Sequence, residues 1–221
     1  MFVASDLDIG MNQWMSKPFD YPDRPLDRGK VLDAADLERL GGFARYKDVD
    51  GDGIGYRTLP GTDHPLAAYF TRGTGHNEKA SYSERPDDWV RNLERLDRKH
   101  DTARQICPQP VVDQVEGAEI GIIGYGSATP AIAEARAMLA RKGVKTSFLR
   151  PRALPLAESV NDFVARHKRV YVVEMSQHAQ LCDLVRLEMP EMAAKVLPLN
   201  LCDGLPLTAR WVSESLLARE H

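Results

Sequence analysis

Ile120–Tyr125 reads IGIIGY, and Gly126, Ser127, Ala128, Thr129 and Pro130 follow at once. An unbroken apolar run of this length fits a parallel strand buried on both faces, because a half-exposed strand would alternate. The glycine and serine turn the chain. Thr129 is placed to cap a helix, and Pro130 suits a first helical position, where a missing N–H costs nothing. Ile132, Ala135, Met138 and Leu139 then recur at helical spacing, and Gly143 ends the helix. The pattern repeats: a strand over 144–149, a helix over 156–167, the strand VYVVE at 170–174, a helix over 179–189, a strand over 196–201 and a closing helix over 208–219. Such alternation builds a doubly wound α/β domain, expected over residues 111–221.

Upstream the character changes. Residues 17–30, KPFDYPDRPLDRGK, hold three prolines and suit a surface course. A short helix is expected from Asp33 to Gly41, and a longer one from Pro86 towards Gln105, with Trp89, Leu93, Leu96 and His100 along one face and charges opposite. Between them Gly41–Glu78 mixes glycines, acids, histidines and arginines without any period. It is too rich in Phe43, Tyr46, Ile54, Tyr56, Tyr69 and Phe70 for a disordered linker. Ordered loops of this length are uncommon and belong to lids, binding loops or interfaces. At the start, Phe2–Ala4 suggest a strand, with Asp6, Asp8 and Asn12 just past its end.

The composition narrows the function. A net charge of -3, with bases and acids interspersed, disfavours a nucleic-acid partner. No apolar run approaches a membrane span and the first residues form no secretory leader, so a cytoplasmic location is expected. Cys107, Cys182 and Cys202 are scattered and odd in number, which disfavours disulfides, and three thiols cannot by themselves ligate a four-thiolate cluster.

Four groups of residues are candidates for chemistry. Gly124–Thr129 follows a strand and opens a helix, but it lacks the third glycine of a dinucleotide fingerprint and the following strand ends without an acid, so a tight turn is the preferred reading. Asp48–Gly53, DVDGDG, matches the first half of a calcium loop, yet Leu59 stands where the closing glutamate belongs, and no metal site is assigned. His64, Arg72, His76, Asn77 and Glu78 form a polar set among glycines, able to hold a carboxylate or phosphate through Arg72. His178 and Cys182, one helical turn apart, lack further metal ligands.

The strings SDLDIGMNQWM (5–15), LGGFARYKDVDGDGIGYRTLPGTDHP (40–65) and YFTRGTGHNE (69–78), with GIIGYGS, VYVVE and CDGLPL later, resemble the carboxyl-terminal part of the alpha subunit of 2-oxoacid:ferredoxin oxidoreductases, above all the 2-oxoglutarate type. The resemblance implies coenzyme A-acylating oxidative decarboxylation of a 2-oxoacid with electrons passed to ferredoxin. It implies thiamine diphosphate, magnesium and a [4Fe–4S] cluster in the assembled enzyme, with the diphosphate and cluster held by a beta subunit. It divides the chain into a remnant of a pyrimidine-binding domain (1–16), a connecting loop and helix (17–110) and a transketolase C-terminal-like domain (111–221). On this reading most of the pyrimidine-binding domain is missing, including the region that supplies the glutamate activating thiamine, so the chain alone binds no cofactor and is inactive. Asp50, Asp52, His64, Arg72, His76 and Asn77 are then expected near the active-site entrance as substrate-binding residues, or else as ties between the loop and its neighbours. No catalytic residue is assigned. The alternative reading is a stand-alone α/β module that captures an anionic metabolite at the 124–127 turn.

Overall fold

The computed structural model describes residues 2–220. The chain divides into two compact units: one joins the residues up to Lys17 to those from Ile106 onward, and the other is Pro18–Gln105. Among the described residues no helix is long and apolar enough to cross a membrane.

The first unit opens with a short helix α1 (Leu7–Met11). Phe2–Ala4 form no strand and pair with none, which corrects the expected remnant strand. Asp6 decides this locally. Its carboxylate accepts the Ile9 N–H at 2.7 Å, so the chain turns into a helix at the point where a strand would have continued.

In the second unit α2 (Ala34–Leu40) begins with a capping box in which Asp33 and Asp36 satisfy each other's backbone N–H, and it ends at Gly41 in the left-handed conformation. Helix α3 (Pro86–Ile106) starts at the expected proline. Its orientation is the reverse of what hydrophobic patterning suggests. Trp89 is 60% exposed and Leu93 46%, while Asp88 (7%) and Arg95 (9%) are buried. The loop that covers α3 is polar and glycine-rich, so it offers hydrogen-bond partners to the charged face and leaves the apolar stripe uncovered.

The remainder of the first unit is a five-stranded sheet in the order β1-β3-β2-β4-β5. Strand β1 (Val111–Asp113) pairs antiparallel with β3 (Thr146–Arg150), an edge strand that the flanking prolines conceal in the sequence. Strands β2 (Ile120–Gly124), β3, β4 (Arg169–Glu174) and β5 (Val196–Asn200) are parallel. The connecting helices are α4 (Ala128–Arg141), α5 (Glu158–Arg166) and α6 (Gln180–Glu188), the last followed by a 3-10 turn (Pro190–Lys195), and α7 (Ala209–Glu220) closes the chain. Alternate strand residues face opposite layers. Ile122, Tyr171 and Leu199 meet α4 and α7 through Ile132, Leu139, Val212 and Leu216. Ile123, Val170, Val172 and Val196 meet α5 and α6 through Phe163, Val164, Cys182 and Val185. This is the expected doubly wound α/β fold. Gly121 in the middle of β2 allows α5 to approach, since a Cβ there would stand 2.7 Å from the Phe163 ring and 3.1 Å from His167 Nδ1.

The expected N-cap of α4 is not the real one, while Gly143 ends the helix as expected, in the left-handed conformation just past it. The helix starts at Ala128, one residue before Thr129, whose Oγ1 is buried without a partner.

Candidate functional site

The loop unit folds its acids onto its own bases. Lys30 Nζ lies 2.5 Å from Asp50 Oδ2 and 2.7 Å from Asp52 Oδ1, and it also reaches the Ile54 carbonyl at 3.3 Å. Burial works against the Lys30 charge, but the bonds from Asp50 and Asp52 outweigh it and raise its pKa. Asp50 is held below the ordinary carboxylate range by Lys30 and by the Tyr56 hydroxyl, which donates to it at 3.0 Å. Asp48 takes the Gly53 N–H at 3.0 Å and Arg98 Nε at 2.8 Å; these bonds outweigh its burial and lower its pKa. The half calcium motif is thus closed by an ammonium and a guanidinium. Among the described residues no group of three or more His, Cys, Asp or Glu side chains is placed to hold a metal ion.

Gly53 fixes this turn against α3. Its φ is +77°, and a Cβ there would meet Lys99 N at 2.3 Å and the Arg95 carbonyl oxygen at 2.5 Å. Arg95 returns a bond from Nη1 to the Gly53 carbonyl at 3.0 Å, and Thr102 Oγ1 donates to the Asp52 carbonyl at 2.8 Å.

The remaining candidates fall in separate settings. His64 Nδ1 accepts the Leu66 N–H at 3.1 Å, which leaves Nε2 to donate to Glu38 at 3.2 Å. His76 Nδ1 donates to the Thr74 carbonyl at 2.7 Å, and its ring lies against Tyr46 with centroids 4.2 Å apart. Asn77 Oδ1 accepts from Lys79 N and Ser81 N, a turn that carries Ala80 at a positive φ of 63°. Arg72 is exposed. Its backbone N–H donates to the Tyr46 hydroxyl at 3.1 Å, its Nε donates to the Ala80 carbonyl at 3.1 Å, and its guanidinium stands 5.9 Å from the Tyr82 ring centroid. Arg72 and His76 therefore both meet Tyr46, whereas Asp50 and Asp52 meet Lys30 and His64 meets Glu38. Sequence patterning missed Lys30, Tyr46 and Arg95, because bases spread across surface-like segments carry no signal of where a loop will fold back.

The sheet unit has its own crevice, at the carboxyl ends of β2 and β4 where the crossover connections leave in opposite directions. A cleft of about 440 Å³ is lined there by Asp6, Tyr125, Gly126, Ser127, Glu174 and Ser176, among others. Glu174 is buried, and its carboxylate accepts the Leu181 and Cys182 N–H groups at 3.1 and 3.0 Å. Burial, then Glu174 and Asp6, push the Tyr125 phenol up. The Gly124–Ser127 turn receives a carboxylate from its own chain, since Ser127 Oγ donates to Asp6 at 2.8 Å. Cys182 is fully buried on α6 and burial pushes its thiol up to about 11, whereas His178 is exposed and precedes the helix, so the two do not share a helix surface.

No family model matches the chain. Among solved structures, 2-oxoglutarate:ferredoxin oxidoreductase from Magnetococcus marinus, with 2-oxoglutarate, coenzyme A and succinyl-CoA bound, aligns with a TM-score of 0.69 and 25% identity over 82% of this chain and 31% of that one. A split-gene transketolase in an inactive beta4 tetramer aligns at 0.42 and 21% identity over 50% and 40% of the two chains. The alpha chain of a probable 2-oxoacid ferredoxin oxidoreductase from Thermoplasma acidophilum aligns at 0.31 and 17% over 50% and 96%. The last two are too loose to carry an argument. The chain spans about a third of the Magnetococcus protein's length, and it is a distant structural relative of the 2-oxoacid:ferredoxin oxidoreductases.

Proposed function

We propose that this chain works as part of a 2-oxoacid:ferredoxin oxidoreductase, with 2-oxoglutarate as the 2-oxoacid, coenzyme A as the acyl acceptor and ferredoxin as the electron acceptor. The alignment with the Magnetococcus enzyme over 82% of the chain carries this reading. The chain's own groups support a role in positioning and assembly. Its three cysteines do not fit a [4Fe–4S] cluster by themselves: Cys182 is buried in the α5–α6 layer, Cys107 is half-buried and Cys202 is exposed. A beta subunit would hold the thiamine diphosphate, its magnesium and the cluster, which together supply decarboxylation and electron transfer. The exposed stripe Trp89, Leu93 and Leu96 on α3 suits burial against another chain.

Within the loop unit, Arg72 is the residue proposed to meet the anionic substrate or coenzyme A at the active-site entrance. Only its Nε is committed, to the Ala80 carbonyl, so the terminal nitrogens stay available for two parallel bonds to a carboxylate or phosphate. Asn77 holds the turn whose Ala80 carbonyl accepts from Arg72, His76 bonds to the Thr74 carbonyl, and Asp50 and Asp52 through Lys30, and His64 through Glu38, brace the loop. Co-expression with a 2-oxoacid:ferredoxin oxidoreductase beta subunit tests the whole reading. Co-purification with a partner that carries thiamine diphosphate and a [4Fe–4S] cluster, and 2-oxoglutarate-dependent reduction of a ferredoxin or viologen by that complex, is the expected result. A chain that stays alone under these conditions would sink the proposal.

A further inference from the structure

Tyr46 is flanked by two arginines, neither of which makes an ion pair with a described carboxylate. Arg45 Cζ stands 5.6 Å and Arg95 Cζ 5.7 Å from its ring centroid, and the His76 ring lies against it. Arg45 Nε, Arg95 Nε and His76 Nε2 are all shut off from solvent and meet no hydrogen-bond partner. Three orphaned nitrogens around one ring are unusual, because buried polar groups are almost always satisfied and each one left bare costs about 1–3 kcal/mol. Arg95 is itself more than nine-tenths buried and spends one bond on the Gly53 carbonyl. The half-buried Arg45 guanidinium makes no hydrogen bond or ion pair to any described residue.

Charge accounting points the same way. The carboxylate that acts on Arg95 is Asp48, and Arg98 and the Gly53 N–H already hold it. Burial, then the like charge of Arg45, lowers the pKa of Arg95. A guanidinium pair in this setting is stable when something negative shares it. The terminal nitrogens of Arg45 are neither bonded nor shut off, so an anion can reach them from solvent. The Tyr46 ring, fixed through its hydroxyl to the Arg72 N–H, holds both guanidiniums in place.

We propose that Arg45, Arg95 and His76 form an oxyanion-binding site around Tyr46, for a carboxylate or phosphate group. Arg45 offers the bidentate face, Arg95 supplies the fixed positive field, and His76, whose Nδ1–H is committed to the Thr74 carbonyl, lines the site with its unpartnered Nε2. The site does not use the Arg72 guanidinium, and it does not rest on the oxidoreductase reading, since every group belongs to the loop unit of this chain.

The test uses the full chain without partners. Sodium phosphate and sodium succinate are titrated separately against sodium chloride at equal ionic strength, with the Nε–H signals of the arginines followed by NMR and the melting temperature measured alongside. At least one of the two anions is expected to move the Arg45 and Arg95 Nε–H signals saturably and raise the melting temperature; which one responds identifies the ligand as phosphate- or carboxylate-bearing. Arg45→Met is expected to weaken binding about tenfold or more, Arg45→Lys to lose part of the affinity, and Arg24→Met, an exposed arginine elsewhere in the unit, to lose none. Should Arg45→Met fail to fold, the wild-type titration and Arg45→Lys still decide. A response to both anions no greater than to chloride, or an affinity unchanged in Arg45→Lys and Arg45→Met, overturns the proposal. Such a failure would leave the co-purification result untouched, so the two readings fail separately.

Discussion

Ser127 Oγ donates a hydrogen bond of 2.8 Å to the Asp6 carboxylate, across 121 residues of sequence. The same carboxylate caps α1 through Ile9 N, so one side chain both starts the first helix and binds it to the turn after β2. The turn that a dinucleotide or free anion would use in other α/β domains is met here by an internal carboxylate.

The first prediction follows from that bond. Ser127→Ala should weaken the attachment by about 1 kcal/mol, and amide exchange at Ile9 and Gly10 should accelerate about fivefold while Val172 in β4 stays unchanged. Asp6→Ala removes the cap as well and should accelerate exchange further. Equal exchange at Ile9 in wild type and Ser127→Ala would mean that the contact contributes nothing to holding the segment.

A second prediction separates conformation from space. Gly51 and Gly53 both have positive φ, +79° and +77°, but a Cβ on Gly51 meets nothing while one on Gly53 runs into the α3 backbone. Gly51→Ala should cost about 1–2 kcal/mol, the left-handed penalty alone. Gly53→Ala should cost about 2–5 kcal/mol, because backbone atoms of α3 must move. Urea unfolding of the loop unit, followed by Trp89 fluorescence, measures both. Equal losses would show that the tight packing of Gly53 on α3 is not retained in solution.

These two sites also mark what could be read from sequence. The strand–helix alternation from Ile120 onward was legible because buried parallel strands and amphipathic helices differ in period, and the observed elements fall within a residue or two of those expected. Strand β1 was hidden because Val111–Asp113 is short, exposed and follows prolines, leaving no period to detect. Phe2–Ala4 misled for the opposite reason: β-favouring residues say nothing about whether an edge is available, and the Asp6 cap turned the chain instead. In the loop, DVDGDG and TRGTGHNE were visible as chemistry, but their partners were not. Lys30, Arg95 and Arg98 become neighbours of the acidic turn only after residues 31–95 have folded back, and α3 turns its polar stripe inward against the usual preference.

The third prediction concerns alkaline pH. Tyr171 is fully buried and donates to Glu220 Oε1 at 2.6 Å; burial first, then that carboxylate, push its phenol from 10 up to about 12. Cys182 rises from 9 to about 11 through burial. Both groups keep their protons longer in the folded state, so their contribution is complete below the unfolded pKa and disappears as pH climbs to the folded one. Stability should therefore fall across pH 9–12, by up to about 1.4 kcal/mol per pH unit for each group while it titrates. Cys182→Ala should flatten the fall between pH 9 and 11, and Tyr171→Phe the fall between pH 10 and 12. Parallel denaturation curves for wild type and Tyr171→Phe above pH 10 would show that the phenol is not held neutral.

The fourth prediction addresses Arg72 in the assembled enzyme. Its Nε bond to Ala80 and its position 5.9 Å from the Tyr82 ring fix the side chain, so a substrate anion would meet a guanidinium already held in place. Arg72→Ala should raise KM for the 2-oxoacid or for coenzyme A about tenfold or more, as expected when a charged, bidentate contact is lost. Arg72→Lys should recover only part, because an ammonium keeps the charge but not the paired geometry. Varying the two substrates in turn identifies which one Arg72 meets. Since Arg72 N, and not its side chain, bonds Tyr46, the Tyr46 platform should survive both substitutions, and melting temperature should change little. Wild-type KM values together with weaker subunit association would instead assign Arg72 to assembly, and the loop would serve as a brace between chains with no part in substrate binding.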